Sequence, residues 1–534
     1  MKFINHPLTI KIFLFLLFIV YCLSFFIDVI DVDSAQYAAI SMEMLQTNSL
    51  LEIKERGMDY LDKPPLLFWI SSLSYHFFGI NNFAYKLPSL LISLLGIFST
   101  YKLANLLHGK KIAINSIIIL CTTIGYVWIN SDIKTDLILT SFIIFTFWQL
   151  IEFLKKGKLI HVLGIGAGIS FAMMSKGPIG FIVPLIAFFL LIYFRETRKH
   201  ILSFKLLWVF PIIILLLAPM FYGLYIQFDI PGDKIIKGQV IDSGLKFFFW
   251  TQSFGRITHE NVFDNNTSFF YLWHTSLLLA IPWSLLIIYS VKNKFTSFWK
   301  TKKLDFNNHI LLIISLTVIS LLSFSSYKIP HYAMVIFPFI SIILSKEISN
   351  LKERIIKINY QIFISLSFLM VTVLLLGFCM KIWDIALIGL FYSILFLPQL
   401  KENYFFKTVL CGITIGFMFN SFLLKTEEYS LPIQLKTEIN RLNIHKDDLY
   451  FLSTESSALE FMINKRIEST SIQSIERGKW YVINPDKVWE VENEGYKISE
   501  KVKLEYYDLN RISLAFINPF QKKEFRERLL IKVI

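Results

Sequence analysis

The sequence predicts a polytopic α-helical membrane protein with a small soluble α/β domain at its C-terminal end. Three observations predict it. The chain has 534 residues, 54% of them hydrophobic and 16% aromatic, with a mean hydropathy of +0.55. That is too apolar for a soluble protein and long enough for a dozen or so spans of about 20 residues. Apolar runs alternate with short polar connections, and every second connection bears Lys or Arg. After residue 424 charges become frequent and apolar runs shrink to strand length. The net charge of +13 is spread over short loops, which is how membrane topology is set, and it argues against a nucleic-acid partner.

Apolar segments fall near 8–27, 86–107, 112–129, 137–154, 159–174, 181–194, 204–225, 269–291, 310–324, 332–345, 358–378, 383–398 and 404–424, about thirteen in all. The first has Lys2 and Lys11 near its start and no small-x-small cleavage site, so it reads as a retained span entering from the cytoplasm. The connections at 108–111, 155–158, 195–200, 292–303, 346–357 and 401–407 are then cytoplasmic and basic. Residues 28–85, 131–136, 175–180, 226–268 and 325–331, a turn near Lys381 and the tail face outward. An odd count places the C-terminus outside. Four cysteines lie in or beside apolar runs, where they act as small hydrophobes without a disulfide or zinc pattern. There is no internal repeat and no low-complexity segment.

Residues 1–424 thus form the membrane domain, with long outer loops at 28–85 and 226–268, and 425–534 an outer α/β domain. In that tail 449–454, 479–484 and 512–518 read as strands, 433–442 and 456–463 as helices.

The stretch from Asp31 to Trp69 carries more polar chemistry than a membrane hairpin needs. Asp33 stands where an N-cap would, ahead of an amphipathic helix along the membrane surface with Gln36, Tyr37, Ile40 and Met44 on one face. Pro64 and Pro65 hold Lys63 on extended backbone, with its ammonium free to meet an anion such as a phosphate. As isolated residues, the two would equally serve as a helix cap and a snorkelling lysine.

Other outer stretches add candidates. Asp136 in SDIKTD lies two residues after Lys134 and is either a solvated cap or part of a site. Lys176, in the tight turn SKGPIG, is either an interfacial anchor or a phosphate partner. FFFWTQSFGRITHENVF suits a juxtamembrane cover in which Arg256 could grip a phosphate bidentately. SSYKIPHYAMVIFP brings Tyr327, Lys328 and His331 outward.

The motifs Asp33-Ser34-Ala35-Gln36-Tyr37-Ala38 and Asp62-Lys63-Pro64-Pro65-Leu66, in that order and separation, resemble the undecaprenyl-phosphate-sugar-dependent transferases of the aminoarabinose transferase and protein O-mannosyltransferase group. Lys134 with Asp136, the 175–180 turn and the segment around Lys328 extend the resemblance over residues 8–345. It implies a GT-C fold, with Asp33 and Asp136 paired across one cavity as the catalytic carboxylates. It also implies a binding set of Lys63, Asp62, Tyr37, Gln36, Lys176, Arg256, Lys328 and His331. Gln36 stands where many aminoarabinose transferases have arginine, and Asp62 where they have glutamate.

The function so implied is inverting transfer of a sugar from a polyprenyl monophosphate, at the outer face of the bacterial inner membrane. Lipid A, another glycolipid or an envelope protein would be the acceptor. Asp33 would be the general base for a hydroxyl acceptor and an orienting group for an ionised phosphate. No cofactor is called for. Beyond the Asp31-Val32-Asp33 run itself the outer loops hold no Asp-x-Asp metal motif, and the sequence leaves a divalent metal open. A transporter or flippase of lipid-linked sugars is the competing class, disfavoured by nearly charge-free spans and the lack of a repeat.

Overall fold

The computed structural model describes residues 7–193, 201–236, 238–252, 267–301, 306–378, 403–452, 454–509 and 525–534, with single residues at 255, 265, 389 and 516. Helices dominate. α1 (Pro7–Leu23) leads into α2 (Val32–Thr47), a short hairpin of β1 (Lys54–Glu55) and β2 (Met58–Asp59), and α3 (Leu66–Phe78). Then follow α4 (Asn82–His108), α5 (Lys110–Cys121), α6 (Ile124–Ser131), α7 (Thr135–Lys156), α8 (Leu159–Lys176) and α9 (Ile179–Tyr193). After α10 (Val209–Leu224) come the antiparallel pair β3 (Lys234–Ile236) and β4 (Gln239–Ile241), then α11 (Tyr271–Leu279), α12 (Ser284–Thr301), α13 (Phe306–Ser323), α14 (Phe337–Glu347), α15 (Glu353–Phe378) and α16 (Tyr404–Thr426).

Among the described residues, seven helices are long and apolar enough to cross a membrane, or eight if α5 and α6, bent by 61°, form one broken span. The difference from about thirteen has local causes. The run at 269–291 is two helices with a break at 280–283, and 332–345 opens as a 3₁₀ turn over Pro330–Ile336. The runs at 181–194 and 310–324 become helices too short to count alone. The run at 383–398 lies outside the described residues, apart from Gly389. α3 is a further apolar helix that the hydropathy pattern did not separate from its loop.

α7 is the central helix, almost wholly buried, and α8 lies close against it. A side chain at Gly168 would collide with the Thr146 hydroxyl, so the small residue is what lets the backbones approach. Gly180 likewise sits directly on the α8 backbone at Ala172, which makes the 175–180 turn tight.

The start of α2 departs from the expectation. Asp31, with extended backbone, is the N-cap and accepts from the Asp33 and Ser34 amides, while Asp33 sits inside the first turn. The two-residue hairpin turn that follows has Arg56 and Gly57 at φ of 55° and 76°, the left-handed pair that a tight hairpin requires. The Glu43 carboxylate accepts from both of their amides, at 2.7 and 2.8 Å.

The tail folds around a mixed sheet. β5 (Leu449–Leu452), β6 (Glu468–Thr470), β7 (Trp480–Ile483), β8 (Ile498–Tyr506) and β9 (Arg526–Val533) lie in the order β6-β5-β7-β9-β8. The first three are parallel and the last two pair antiparallel. Alternation along the strands sends Phe451, Val482 and Leu530 to one face, against α17 (Leu431–Arg441) and α18 (Ser457–Ile463). Tyr481, Ile483 and Ile531 face α19 (Val488–Asn493) on the other. The expected strands at 449–454 and 479–484 and both helices have counterparts here. Residues 512–518 lie outside the described residues except Phe516, and β8, with its alternating charges, escaped the sequence reading.

Candidate active site

The polar loops converge on two neighbouring arrangements. In the first, the Lys134 ammonium, only 6% exposed, is gripped by three carboxylates: Asp31, Asp132 at 3.2 Å and Asp33 at 3.7 Å. Burial works against its charge, but Asp132, Asp31 and Asp33 outweigh it and hold the ammonium well above its ordinary range. Burial, with Asp31 beside it, pushes Asp132 up to about 7 against the pull of Lys134. Lys86 on α4 fastens the surroundings, donating to the Ser24, Ile27 and Ser131 carbonyls at 2.6, 2.8 and 2.9 Å. That ties the ends of α1 and α6 to one point, so Asp31 and Asp132 arrive together.

In the second, a cavity of about 250 Å³ has an aliphatic wall of Leu139, Ile179, Ile182, Leu321 and Leu322 and a polar end of Asp62, Lys63, Asp136, Lys176 and Gln252. Lys63 pairs with Asp62 at 2.7 Å, so its ammonium is not free, as the sequence suggested, but partnered by its neighbour. Gln252 fixes that pair by donating to the Asp62 carbonyl and carboxylate at 2.5 and 2.9 Å. Lys176 pairs with Asp136 and lies 3.6 Å from the centre of the Tyr332 ring. His331 Nε2 is 3.5 Å from the same Asp136 carboxylate. Burial first, then Lys176 and Lys134, push the imidazole well below its ordinary range, so His331 is neutral at pH 7.

The remaining candidates scatter around these two. Asp33, its side chain 44% exposed, does not line the cavity that holds Asp136, so the two carboxylates do not face each other across one cavity as expected; Asp33 pairs instead with Lys134. Gln36 donates to Glu55 at 2.6 Å, and Tyr37 is buried edge-on to Phe68. Lys328 donates its ammonium to the Ser325 carbonyl at 2.6 Å, one step behind the cavity lining. Arg256 lies outside the described residues. No group of three or more His, Cys, Asp or Glu among the described residues could hold a metal ion. Sequence reasoning missed Asp31, Asp132, Lys86 and Gln252. The charge density of the 28–33 and 131–136 stretches was the signal for the first two, whereas nothing in sequence brings Lys86 or Gln252 to them.

The chain matches the family model for dolichyl-phosphate-mannose-protein mannosyltransferase over residues 62–222. It is 26% identical over 349 residues to the undecaprenyl phosphate-alpha-4-amino-4-deoxy-L-arabinose arabinosyl transferase of Wigglesworthia glossinidia brevipalpis, covering 62% of this chain and 58% of that one. The transferase of the same name from Photorhabdus laumondii is 23% identical over 480 residues, covering 83% and 81%. The crystal structure of ArnT from Cupriavidus metallidurans bound to undecaprenyl phosphate superposes with a TM-score of 0.71 at 15% identity, over 98% of this chain and 97% of that one. The names of these relatives favour a transferase over the transporter class. The chain is a multi-pass membrane protein with the fold of ArnT, and its sequence is similar to those of the undecaprenyl-phosphate aminoarabinose transferases.

Proposed function

We propose that the chain transfers a sugar from a polyprenyl monophosphate, undecaprenyl in a bacterial inner membrane, to an acceptor on the periplasmic face. The observation that carries the reading is the placement of the Lys63 and Lys176 ammoniums at the polar end of an otherwise aliphatic cavity. An isoprenoid chain suits the wall, and a phosphodiester suits the cations, displacing part of their pairing with Asp62 and Asp136. The relatives' names, which specify undecaprenyl phosphate, support the same donor.

The step is a direct displacement with inversion. An acceptor oxygen bonds to the anomeric carbon, the bond from that carbon to the phosphate oxygen breaks, and the electron pair leaves on the polyprenyl phosphate. Lys63 and Lys176 sit where that charge develops. Asp136 orients Lys176 and His331, and Asp33, half-exposed at the head of α2, takes the proton of a hydroxyl acceptor. Lys328 and Tyr37 support the site from behind, and Gln36 holds the hairpin through Glu55.

The N-terminus is cytoplasmic and the C-terminal sheet, as a unit from about residue 425, is periplasmic in this reading. The packing of Phe461 on α18 against Tyr75 and Tyr85 supports it, because it joins the sheet to the side that bears the 28–69 loop. The test is turnover of a radiolabelled undecaprenyl-phosphate sugar by the purified full-length protein with lipid extracts as acceptor. Release of undecaprenyl phosphate with matching label in an acceptor is expected; transport of intact donor without cleavage would overturn the proposal.

A further inference from the structure

A segment remote in sequence holds the Asp62-Lys63 motif from behind. Past α10 the chain turns through Tyr225–Asp229, forms the β3–β4 pair and returns through Gly244–Lys246 and Phe247–Thr251 to Gln252. Asp229 closes this loop on itself, accepting from the Ser243 hydroxyl and the Gly244 amide at 2.6 and 3.0 Å. Gln227, only 4% exposed, clasps Ile53 as a neighbouring strand would, accepting from its amide at 3.0 Å and donating to its carbonyl at 2.8 Å. It also donates to the Asp59 carboxylate at 2.9 Å, and Lys234 of β3 pairs with the same carboxylate at 2.7 Å. The loop is thereby fastened to the stretch that leads directly into Asp62.

Gln252 completes the fastening at the motif itself. Its amide nitrogen donates to the Asp62 carbonyl at 2.5 Å and to Oδ1 of the Asp62 carboxylate at 2.9 Å, while the Lys63 ammonium donates to Oδ2 at 2.7 Å. One carboxylate thus carries two donors, one on each oxygen. Lys63 and Gln252 both line the cavity of Lys176, and both line a small hollow of about 30 Å³ together with Gln227 and Gly177, the residue after Lys176. An ammonium that exchanges its carboxylate for a phosphate leaves one anion beside another. The hydrogen bond from Gln252 stays on Asp62 whichever partner Lys63 holds, so it keeps the carboxylate satisfied and prevents it from following the ammonium. Pinning the Asp62 carbonyl also fixes the backbone from which Lys63 projects, as Pro64 and Pro65 do from the other side.

We infer that Gln252 is a positioning residue for the donor phosphate, acting through Asp62 to set where the Lys63 ammonium stands and how readily it changes partner. The inference rests on the donor reading above and adds to it a residue 190 positions from Asp62. It makes affinity for the charged end of the lipid depend on the 226–252 segment. The aliphatic wall of Leu139, Ile179, Ile182, Leu321 and Leu322 has no part in that dependence. Gln252 therefore acts on a polyprenyl lipid that carries a phosphate and not on one that lacks it.

The experiment measures binding of undecaprenyl phosphate, and of undecaprenol, its uncharged parent alcohol, to the full-length protein in nanodiscs. Gln252→Ala, and Gln252→Met, which keeps the length of the side chain without its amide, should each weaken undecaprenyl phosphate binding about tenfold, the size expected when a hydrogen bond to a charged group is removed. Both should leave undecaprenol within about twofold of the wild type. In a Lys63→Ala background the same substitutions should change undecaprenyl phosphate binding by no more than about twofold, because the group they act through is gone. Wild-type binding of undecaprenyl phosphate by Gln252→Met, an equal loss for the two lipids, or an undiminished loss in the Lys63→Ala background overturns the inference. A wild-type protein that binds the two lipids equally overturns the donor reading instead.

Discussion

The Lys176 ammonium lies over the face of the Tyr332 ring, 3.6 Å from its centre, while pairing with the Asp136 carboxylate. An ammonium held between a ring face and a carboxylate at the edge of a membrane cavity is fixed in position and only partly neutralised. It can therefore exchange its carboxylate for an incoming phosphate without moving.

Lys63 makes the corresponding arrangement with Asp62, and its removal should act on the donor. Lys63→Ala is expected to lower donor-dependent efficiency roughly 10- to 150-fold, the worth of one charge-assisted hydrogen bond of about 1.5 to 3 kcal/mol. Lys63→Arg keeps the charge with altered reach and should rescue in part. Rates against donor concentration at saturating acceptor decide it; an effect confined to the acceptor would remove Lys63 from the phosphate.

Asp33→Asn and Asp136→Asn should each abolish most transfer for different reasons. Asparagine at 33 cannot take a proton, whereas at 136 it releases Lys176 and His331 from their shared carboxylate. Both variants should elute as the wild type does on size exclusion. Near wild-type turnover in either one would reduce that residue to a structural role.

Asp132 gives stability a pH dependence of definite sign. Its carboxyl is raised to about 7 from an ordinary 3.8, so folding favours the protonated form. That contribution is complete below the ordinary value and is lost as pH rises through about 7. Asp132→Asn lacks it. The stability deficit of the variant relative to wild type should therefore shrink between about pH 4 and pH 7, the window set by these two values. Thermal melts at both pH values read it, and a deficit that grows with pH contradicts the assignment.

Arg56 ties the hairpin to the C-terminal sheet. Its guanidinium donates to the Ile467 carbonyl at 2.9 Å and pairs with Glu455 and with Glu460, at 2.5 and 3.1 Å. Arg56→Ala strands the buried Glu460 carboxylate, a loss of roughly 3 to 5 kcal/mol. Arg56→Ala with Glu460→Gln should recover much of it, as a double-mutant cycle in urea would measure.

A reporter fused after Thr426 should behave as extracytoplasmic, and one within 195–200 as cytoplasmic. The loop at 194–200 lies outside the described residues, so the argument there is the charge pattern alone. Both reporters on one side would refute the orientation.

Much of the fold and part of the site were legible beforehand. Hydropathy is a local property, so helices such as α4, α7 and α16 and the shift in character near residue 424 could be read directly. The Asp62-Lys63-Pro64-Pro65 motif marked the cavity wall because prolines dictate backbone geometry to their neighbours. The span count was less legible. A run of apolar residues does not say whether its helix continues, and breaks such as those at 280–283 and 330–336 depend on what the segment packs against.

The sequence by itself determined the membrane class, the helical character, the polar loops between the apolar runs, and Asp62, Lys63, Asp136 and Lys176 as candidates within them. Only the tertiary structure decided which charges meet. It made Asp31 and not Asp33 the cap of α2, drew Asp31, Asp132 and Asp33 around Lys134, and brought Gln252 to Asp62 across 190 residues. The reason is physical. Local pattern sets which residues form a helix or a turn, but the energy of a charge near a membrane depends on partners a few ångströms away, and these are chosen by how helices pack.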